Sequence, residues 1–257
     1  MADRFPVSDP PAGATTGDAV TLDAAESHHL AKVMRASAGD TVRVFFDGLE
    51  FEAVLERADA RGCVARLGAP VTPPAPPRLR AVYALPWLKA GRTEEIARHL
   101  TELGAAGFVA YAARRAVAKG DADRMAKLAR AAMEACKQCE RADTPTVAMA
   151  PSLAAALVMA GAGAITGARA GRGLVLAERT DGDETPRLSV ALAAIAASGG
   201  PPFLVIASGP EGGFHPDELA EAVAGGAMAV SLGPRILRAE TAPLAAAAAV
   251  LAAGGDL

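Results

Sequence analysis

Two glycine-rich stretches, Ser208–Leu219 (SGPEGGFHPDEL) and Ser231–Pro243 (SLGPRILRAETAP), decide how the C-terminal half of this chain folds. Each follows a short apolar run, turns at a Gly-Pro pair and continues through charged residues into a helical pattern. Glycine permits the left-handed backbone and the close ligand approach that such turns use, and a helix that begins there has unpaired N–H donors in its first turn. Two such turns at the same ends of neighbouring parallel strands predict a crevice for a small ligand.

Around these turns, short apolar runs alternate with helical patterns, and six of each are predicted. The predicted strands are Leu79–Leu85, Phe108–Tyr111, Val147–Ala150, Leu174–Ala177, Phe203–Ser208 and Met228–Leu232. The predicted helices are Thr93–Leu103, Asp121–Cys139, Pro151–Ala160, Pro186–Ala197, Pro216–Ala224 and Thr241–Ala253. Regular alternation of this kind predicts an α/β domain, with a mostly parallel sheet that helices cover on both faces.

The first 70 residues have a different pattern, typical of a small β-barrel with one helix. The predicted strands are Ala19–Leu22, Thr41–Phe46, Leu49–Leu55 and Cys63–Leu67, and the predicted helix is Glu26–Arg35. Asp47-Gly48 predicts a hairpin turn. Residues 70–77 include five prolines in eight positions, a density that predicts a stiff, extended segment. We therefore expect a β domain at 1–70, a linker at 71–78 and an α/β domain at 79–257.

Composition and charge narrow the class of protein. The 257 residues have a formal net charge of −3, and no apolar run is long enough to span a membrane. The N-terminus resembles no signal peptide, so we expect a cytoplasmic protein without a membrane partner. Residues 71–145 contain 13 Lys and Arg against 8 Asp and Glu, an excess of +5. This basic middle third predicts either contact with nucleic acid or a solvated helix face.

Motifs for several other kinds of chemistry are absent from the sequence. It contains no G-x-G-x-x-G, Walker, G-x-S-x-G or H-E-x-x-H pattern. Cys136 and Cys139 form a C-x-x-C inside a helical pattern without a second ligand pair, so we expect buried or half-buried thiols and no metal. The two glycine-rich turns instead supply carboxylates and guanidiniums, although acidic residues at helix starts are also explained by the helix dipole.

The motifs GPEGGF and LGPRILRAET resemble those of the SPOUT superfamily of knotted RNA methyltransferases, in particular its bacterial 16S ribosomal RNA (uracil-N3)-methyltransferases. The segments HHLAKVMRASAGDTVRVFFDG, LTELGAAGF, ARRAV and EACKQCER occur in the order expected for that family, so the resemblance covers nearly the whole chain. It implies a trefoil-knotted parallel-sheet domain preceded by a PUA-like RNA-binding β-barrel. It also implies S-adenosyl-L-methionine as cofactor, a homodimer, and a target uridine in the decoding region of 16S rRNA within the small ribosomal subunit.

The resemblance also implies roles for individual residues. The cofactor would contact Ala177, Glu178, Gly209, Glu211, Gly212, Leu232, Gly233, Ile236, Leu237, Arg238, Thr241 and Ala242. The RNA would contact Arg4, His28, Lys32, Arg35, Arg114, Arg115 and Arg141, with a surface or capping role as the alternative for His28. We expect Arg238 to stabilise the uracil anion during methyl transfer, and Glu240 either to orient Arg238 or to act as a base.

Two alternatives to this function remain at this stage. One is another SPOUT RNA methyltransferase, acting on a ribose or a different base of transfer RNA or 23S rRNA. The other is a non-catalytic RNA-binding assembly factor that has kept the fold. Cofactor binding separates the second alternative from an enzyme, and nucleoside analysis of the product separates the first.

Overall fold

The computed structural model describes residues 3–167, 173–178, 185–198 and 203–257. The chain divides into two compact units, one comprising Met1–Ala75 with Cys136–Thr144 and the other comprising Pro76–Ala135 with Pro145–Leu257. The sequence placed Cys136–Thr144 inside the α/β domain. This segment groups with the first unit because Arg4 donates hydrogen bonds to the carbonyl oxygens of Cys136 and Arg141.

The first unit is a five-stranded sheet with one short helix. Its strands are β1 (Arg4–Pro6), β2 (Ala19–Thr21), β3 (Thr41–Phe46), β4 (Leu49–Arg57) and β5 (Val64–Val71), in the order β1-β3-β4-β5-β2. The pairs are antiparallel except β1 with β3. β1 was not predicted, because a three-residue strand that contains a proline has no readable alternation. The predicted single helix is one α-helical turn, α1 (Ala24–His28), followed by a π-helical turn at His29–Val33.

The proline-rich segment begins later than the sequence predicted. Pro70 is part of β5, where it is paired with Phe51 of β4. On the opposite edge of β5, the pairing with β2 ends at Arg66. A proline has no N–H to donate to a neighbouring strand. It is tolerated at position 70 because this part of β5 has a neighbouring strand on one side only. Residues 72–77 have no regular secondary structure.

The second unit is an entirely parallel six-stranded sheet in the order β11-β9-β10-β6-β7-β8. The strands are β6 (Arg80–Pro86), β7 (Gly107–Tyr111), β8 (Thr146–Ala150), β9 (Gly173–Leu176), β10 (Phe203–Ala207) and β11 (Met228–Val230). The helices are α2 (Arg92–Glu102), α3 (Ala122–Gln138), α4 (Leu153–Gly161), α5 (Leu188–Ala197), α6 (Pro216–Ala224) and α7 (Thr241–Gly254). The last three residues of α3 group with the first unit. The predicted α/β class with a parallel sheet is confirmed.

The central strands of this sheet are buried on both faces, whereas the edge strand β8 is partly exposed. Along β6, Tyr83 and Leu85 belong to one apolar cluster, while Val82 and Ala84 belong to a second cluster. Helices α2 and α7 contact each other, as do α5 and α7, and α4 contacts α6. Within the described ranges, no helix has both the length and the apolar character needed to cross a membrane.

The register of the strands determines where a ligand can bind. β9, β10 and β11 are neighbours, and their pairing sets Ala207 beside Val175, and Val230 beside Leu176. Their carboxyl ends therefore lie at one edge of the sheet. The segments that follow them begin at Ala177, Ser208 and Ser231, so both glycine-rich stretches start at this edge.

Candidate functional site

A crevice lies at the carboxyl ends of β9, β10 and β11, and it has two adjoining parts. The first part, which we call the small subsite, is lined by Leu176, Ala177, Glu178, Ser231, Leu232, Gly233, Pro234, Arg235, Ile236, Leu237 and Ala242. The second part, which we call the charged subsite, is lined by Arg92, Leu176, Glu178, Gly209, Pro210, Glu211, Gly213, Phe214, Ile236, Leu237, Arg238, Ala239, Glu240 and Ala242. Five residues line both parts, so the two subsites form one continuous binding surface. The charged subsite has a volume of about 480 Å³, within the usual range for small-molecule sites.

The first glycine-rich stretch is anchored to the sheet at its start. The Tyr111 hydroxyl donates a 2.7 Å hydrogen bond to the carbonyl oxygen of Ser208, and the Ser208 N–H donates to the carbonyl oxygen of Ala84. Burial raises the pKa of Tyr111 well above its ordinary value, and the nearby charge of Glu218 acts in the same direction. The hydroxyl therefore keeps its proton and remains a donor to this stretch at physiological pH.

Gly213 brings this stretch close to the end of β9. Its φ of +67° lies in the left-handed region, and a Cβ at this position would lie 3.2 Å from Oε1 of Glu178. The left-handed conformation favours glycine here, and the Glu178 carboxylate would have to shift slightly to make room for a Cβ. The neighbouring Gly212 accepts a 3.1 Å hydrogen bond from Nη1 of Arg115 through its carbonyl oxygen. The stretch is thus fixed between the end of β9 and the segment that follows β7.

The second stretch has its own internal bonds. The hydroxyl of Ser231 accepts a 3.1 Å hydrogen bond from the N–H of Gly233, which has a φ of +114°. The N–H groups of Thr241 and Ala242 donate to the carbonyl oxygen of Arg238, where α7 begins. The backbone between these points is irregular and forms one wall of the small subsite.

Two arginines face the charged subsite, and each is loosely paired with a glutamate. Nη1 of Arg238 lies 3.8 Å from Oε1 of Glu240, and the Arg238 side chain is 85% exposed. Nη1 of Arg92 also lies 3.8 Å from a carboxylate oxygen, Oε1 of Glu211. Both distances exceed those of strong charge-assisted hydrogen bonds. Either guanidinium can therefore exchange its carboxylate for an anionic ligand.

Arg92 is a charged residue of the site, outside both glycine-rich stretches, that the sequence analysis missed. It is the first residue of α2, more than 80 positions before the nearest predicted site residue in this crevice. A cation in the first turn of a helix opposes the helix dipole, and here it is followed by Glu94 and Glu95, which have the favourable sign. The unfavourable position of the Arg92 charge was the feature of the sequence that could have indicated a functional role.

Most of the predicted cofactor residues line the crevice. They are Ala177, Glu178, Gly209, Glu211, Leu232, Gly233, Ile236, Leu237, Arg238 and Ala242. Gly212 and Thr241 are not among the lining residues. Gly212 instead fixes its loop through Arg115, and Thr241 is the first residue of α7.

Two of the predicted RNA contacts need correction. Arg4 is 5% exposed, and its guanidinium donates to both carboxylate oxygens of Glu50 as well as to backbone carbonyls. Arg141 is 7% exposed and forms an ion pair with Asp143. A buried arginine with these partners cannot reach a phosphate, so both residues have a structural role. The sequence could not distinguish them from surface arginines.

The other predicted RNA contacts are exposed. His28, Lys32 and Arg35 lie on or just after the short helix of the first unit. In the second unit, Arg114 lies 3.3 Å from Asp217 and 3.5 Å from Glu221, and both of these acids are on α6.

The three cysteines are free thiols. Burial raises the pKa of Cys136 to about 12, so this thiol is not ionised at physiological pH. Within residues 3–167, 173–178, 185–198 and 203–257, no group of three or more His, Cys, Asp or Glu is arranged to hold a metal ion.

Comparisons with known proteins agree with this geometry. The RNA methyltransferase domain family matches residues 75–251, and the RNA methyltransferase PUA domain family matches residues 22–68. The chain is 36% identical over 242 residues to a Mycobacterium bovis protein named ribosomal RNA small subunit methyltransferase E, with 91% of this chain and 87% of that protein covered. A protein of the same name from Synechocystis is 35% identical over 231 residues, with 90% and 72% covered.

A solved structure has the same fold. It is a ribosomal RNA small subunit methyltransferase E from Neisseria gonorrhoeae bound to S-adenosyl methionine, and it superposes with a TM-score of 0.74 at 24% identity, covering 97% of this chain and 96% of that one. The predicted resemblance to RNA methyltransferases is confirmed by the family matches and by the relatives of higher identity. This chain belongs to the RNA methyltransferase family that includes the ribosomal RNA small subunit methyltransferase E proteins.

Proposed function

We propose that this protein methylates N3 of a specific uridine in 16S ribosomal RNA within the small ribosomal subunit, using S-adenosyl-L-methionine. The observation that carries the proposal is the continuous crevice at the ends of β9, β10 and β11, which combines a loop-walled small subsite with a subsite containing two loosely paired arginines. Relatives at 35–36% identity are named for methylation of small-subunit ribosomal RNA.

The residues of the small subsite fit the adenine end of this cofactor. The small subsite has a volume of only about 60 Å³, so the rest of the cofactor would extend past Glu178 into the charged subsite. Leu176, Leu232 and Leu237 offer apolar side chains to a flat base, and Glu178 offers a carboxylate where the two subsites meet. Gly233 gives the adjoining loop a conformation that other residues rarely adopt, so backbone groups can face the ligand. When bound, the cofactor supplies an electrophilic methyl group on a sulfonium centre.

The charged subsite would hold the uracil and favour its reactive form. N3 of uracil has a proton, and it becomes a good nucleophile only as that proton passes to a base, for which the Glu240 carboxylate and solvent water are the candidates. Arg238 lines this subsite with an exposed guanidinium, which can approach a uracil carbonyl oxygen and stabilise the negative charge that develops there. Glu240 lies beside it at 3.8 Å, where its carboxylate can either orient Arg238 or accept the N3 proton. Alignment of N3 with the methyl group supplies much of the remaining acceleration.

The proposal extends to the assembly and location of the protein. We expect a homodimer and a knotted C-terminal segment, as in other SPOUT enzymes, in the cytoplasm where ribosomal subunits are found. Contacts of α7 with both α2 and α5 support a C-terminal segment that is packed into the domain rather than appended to it. Light scattering tests the dimer, because a monomer mass at micromolar concentration contradicts it.

The decisive experiment is transfer of a labelled methyl group from S-adenosyl-L-methionine to small ribosomal subunits that lack the modification, followed by nucleoside analysis. We expect 3-methyluridine. Fully modified subunits serve as the control, and they should accept no label. A ribose-methylated product, or activity only on transfer RNA or 23S rRNA, would support the alternative SPOUT activity. A protein that binds subunits but not the cofactor would be an assembly factor.

A further inference from the structure

We propose that Arg92 binds a backbone phosphate of the RNA substrate at the charged subsite, and that Glu211 is its counter-ion until the RNA arrives. This inference rests on the proposed function, since it requires an RNA substrate at this crevice. It adds a residue from α2 to a site that is otherwise built from the segments after β9, β10 and β11.

The backbone before Arg92 is held in an uncommon conformation. Ala90 and Gly91 both have positive φ, at 54° and 73°, although alanine rarely occupies this region. Strained backbone of this kind persists only where the surrounding structure enforces it, and it is concentrated at functional sites. The conformation turns the chain sharply from the end of β6 into the start of α2, where Arg92 faces the crevice.

Buried hydrogen bonds fix this turn. The hydroxyl of Thr93 is fully buried, accepts a 2.8 Å hydrogen bond from the N–H of Leu88 and donates at 3.0 Å to the carbonyl oxygen of Pro86. Nη2 of Arg124 donates at 2.9 Å to the carbonyl oxygen of Leu88. The Cα of Arg92 is therefore held firmly, and only its side chain has freedom to meet a ligand. Such support preorganises a binding residue.

The present partner of Arg92 is a weak one. The closest approach to Glu211 is 3.8 Å, and the two side chains are 46% and 37% exposed. Exposed pairs with this geometry contribute little stability. A phosphate would be a better partner, because its oxygens match the guanidinium in a bidentate manner. It would also lie near the first turn of an 11-residue helix, where negative charge is favoured.

The position of Arg92 favours RNA over the cofactor as the source of this anion. Arg92 lines the charged subsite but not the small subsite, where we place the adenine of the cofactor. Its partial exposure leaves it accessible to a polymer that approaches from solvent. A target nucleotide in the subsite has phosphates on both of its sides, so a cation at this subsite is well placed to position it.

The test compares Arg92→Ala and Arg92→Lys with Arg98→Ala, which removes the same charge from an exposed position of the same helix outside the crevice lining. Binding to unmodified small subunits is measured by filter retention over a series of salt concentrations, and cofactor affinity is measured by calorimetry. We expect Arg92→Ala to weaken subunit binding about tenfold and to reduce the salt slope by about 0.7–0.9. Arg92→Lys should keep the slope, and Arg98→Ala should change binding less than about twofold.

Cofactor affinity should stay within about twofold of wild type in all three variants. An unchanged salt slope in Arg92→Ala overturns the phosphate contact, because a purely structural role would not alter the number of ions released. A larger loss in cofactor affinity than in RNA affinity also overturns it and identifies the anion as the cofactor's carboxylate. Glu211→Gln should bind subunits at least as tightly as wild type, and a tenfold loss in this variant contradicts the counter-ion role.

The same data distinguish this inference from the proposed function. A wild-type protein that produces 3-methyluridine while its subunit binding is independent of Arg92 refutes the inference alone. An Arg92-dependent slope without any methyl transfer refutes the proposed reaction and retains the phosphate contact. A wild-type protein that does not bind subunits refutes both.

Discussion

The two subsites of the crevice are built in different ways. The small subsite is walled by an irregular loop with a glycine at φ +114° and a serine hydroxyl that bonds within the loop. The charged subsite is lined by side chains from separate elements, among them Arg92 of α2 and Arg238 of the second glycine-rich stretch. The first construction depends on backbone conformation, and the second depends on individual charged groups. We therefore expect substitutions in the charged subsite to lower the rate of methyl transfer, and substitutions that alter the backbone of the small subsite to weaken cofactor binding.

The largest effect is expected from Arg238→Ala, in the charged subsite. Removal of a group that stabilises charge in a transition state commonly lowers kcat by about 100-fold or more, and we expect a loss of that size here. Cofactor affinity should stay within about threefold of wild type. Single-turnover methyl transfer to small subunits measures the rate, and calorimetry measures the affinity.

Arg235→Ala is the matched substitution in the small subsite. Arg235 is an exposed arginine three residues earlier in the same stretch, and it lines only the small subsite. We expect the rate of methyl transfer by Arg235→Ala to fall less than about threefold, as for an ordinary surface substitution. Equal losses in the two variants would show that the subsites do not differ in this way, and would remove the catalytic assignment of Arg238.

A smaller effect is expected from Gly233→Ala, which alters backbone conformation. A methyl group at this position would meet no atom within 4 Å, so any effect must come from the φ of +114°. We expect a loss of about 1–3 kcal/mol in the free energy of unfolding and about tenfold weaker cofactor binding. Chemical denaturation and calorimetry measure the two quantities.

Gly226→Ala is the control for backbone strain. Gly226 has a φ of +95°, also has no atom within 4 Å of a Cβ, and lies before β11 outside the crevice lining. Its loss of stability should match that of Gly233→Ala, while its cofactor affinity should be unchanged. If both variants weaken the cofactor equally, the loss is a general consequence of destabilisation and the small subsite has no special dependence on its backbone.

This contrast also explains what the sequence could predict. The glycine-rich stretches are local patterns, and most of the cofactor residues predicted from them line one crevice, Gly233 and Ile236 included. Strand–helix alternation likewise predicts a parallel sheet, because neighbouring parallel strands need a crossover connection, usually a helix. These features depend on residues that are close together in the chain.

Features that depend on distant residues were missed or misjudged. Arg92 reaches the crevice only because β6 lies beside β10 in the sheet, a neighbour relation that no local pattern contains. Arg4 resembles any exposed arginine in the sequence, yet it is buried against Glu50, which lies 46 residues later. Burial and partner choice are set by tertiary packing, so the roles of charged residues outside the two glycine-rich stretches were the least predictable.

The smallest effect is expected from Ile236→Ala, at the boundary of the two subsites. Ile236 lines both parts of the crevice, and it is a large apolar side chain that is 78% exposed without a ligand. Its truncation removes nothing from the core, so the melting temperature of the cofactor-free protein should not change. Partial burial of this side chain against the cofactor is worth about 1 kcal/mol, which corresponds to about fivefold weaker binding.

Thermal unfolding with and without cofactor provides the measurement for Ile236→Ala. At saturating cofactor, fivefold weaker binding reduces the stabilisation by about 1 kcal/mol. Val158→Ala is the control, because Val158 is a 70% exposed residue of α4 outside the crevice lining. The cofactor-induced rise in melting temperature of this variant should match that of wild type. A full cofactor-induced shift in Ile236→Ala would mean that Ile236 is left to contact the RNA. The apolar boundary would then belong to the charged subsite, and the loss would appear as weaker binding to small subunits.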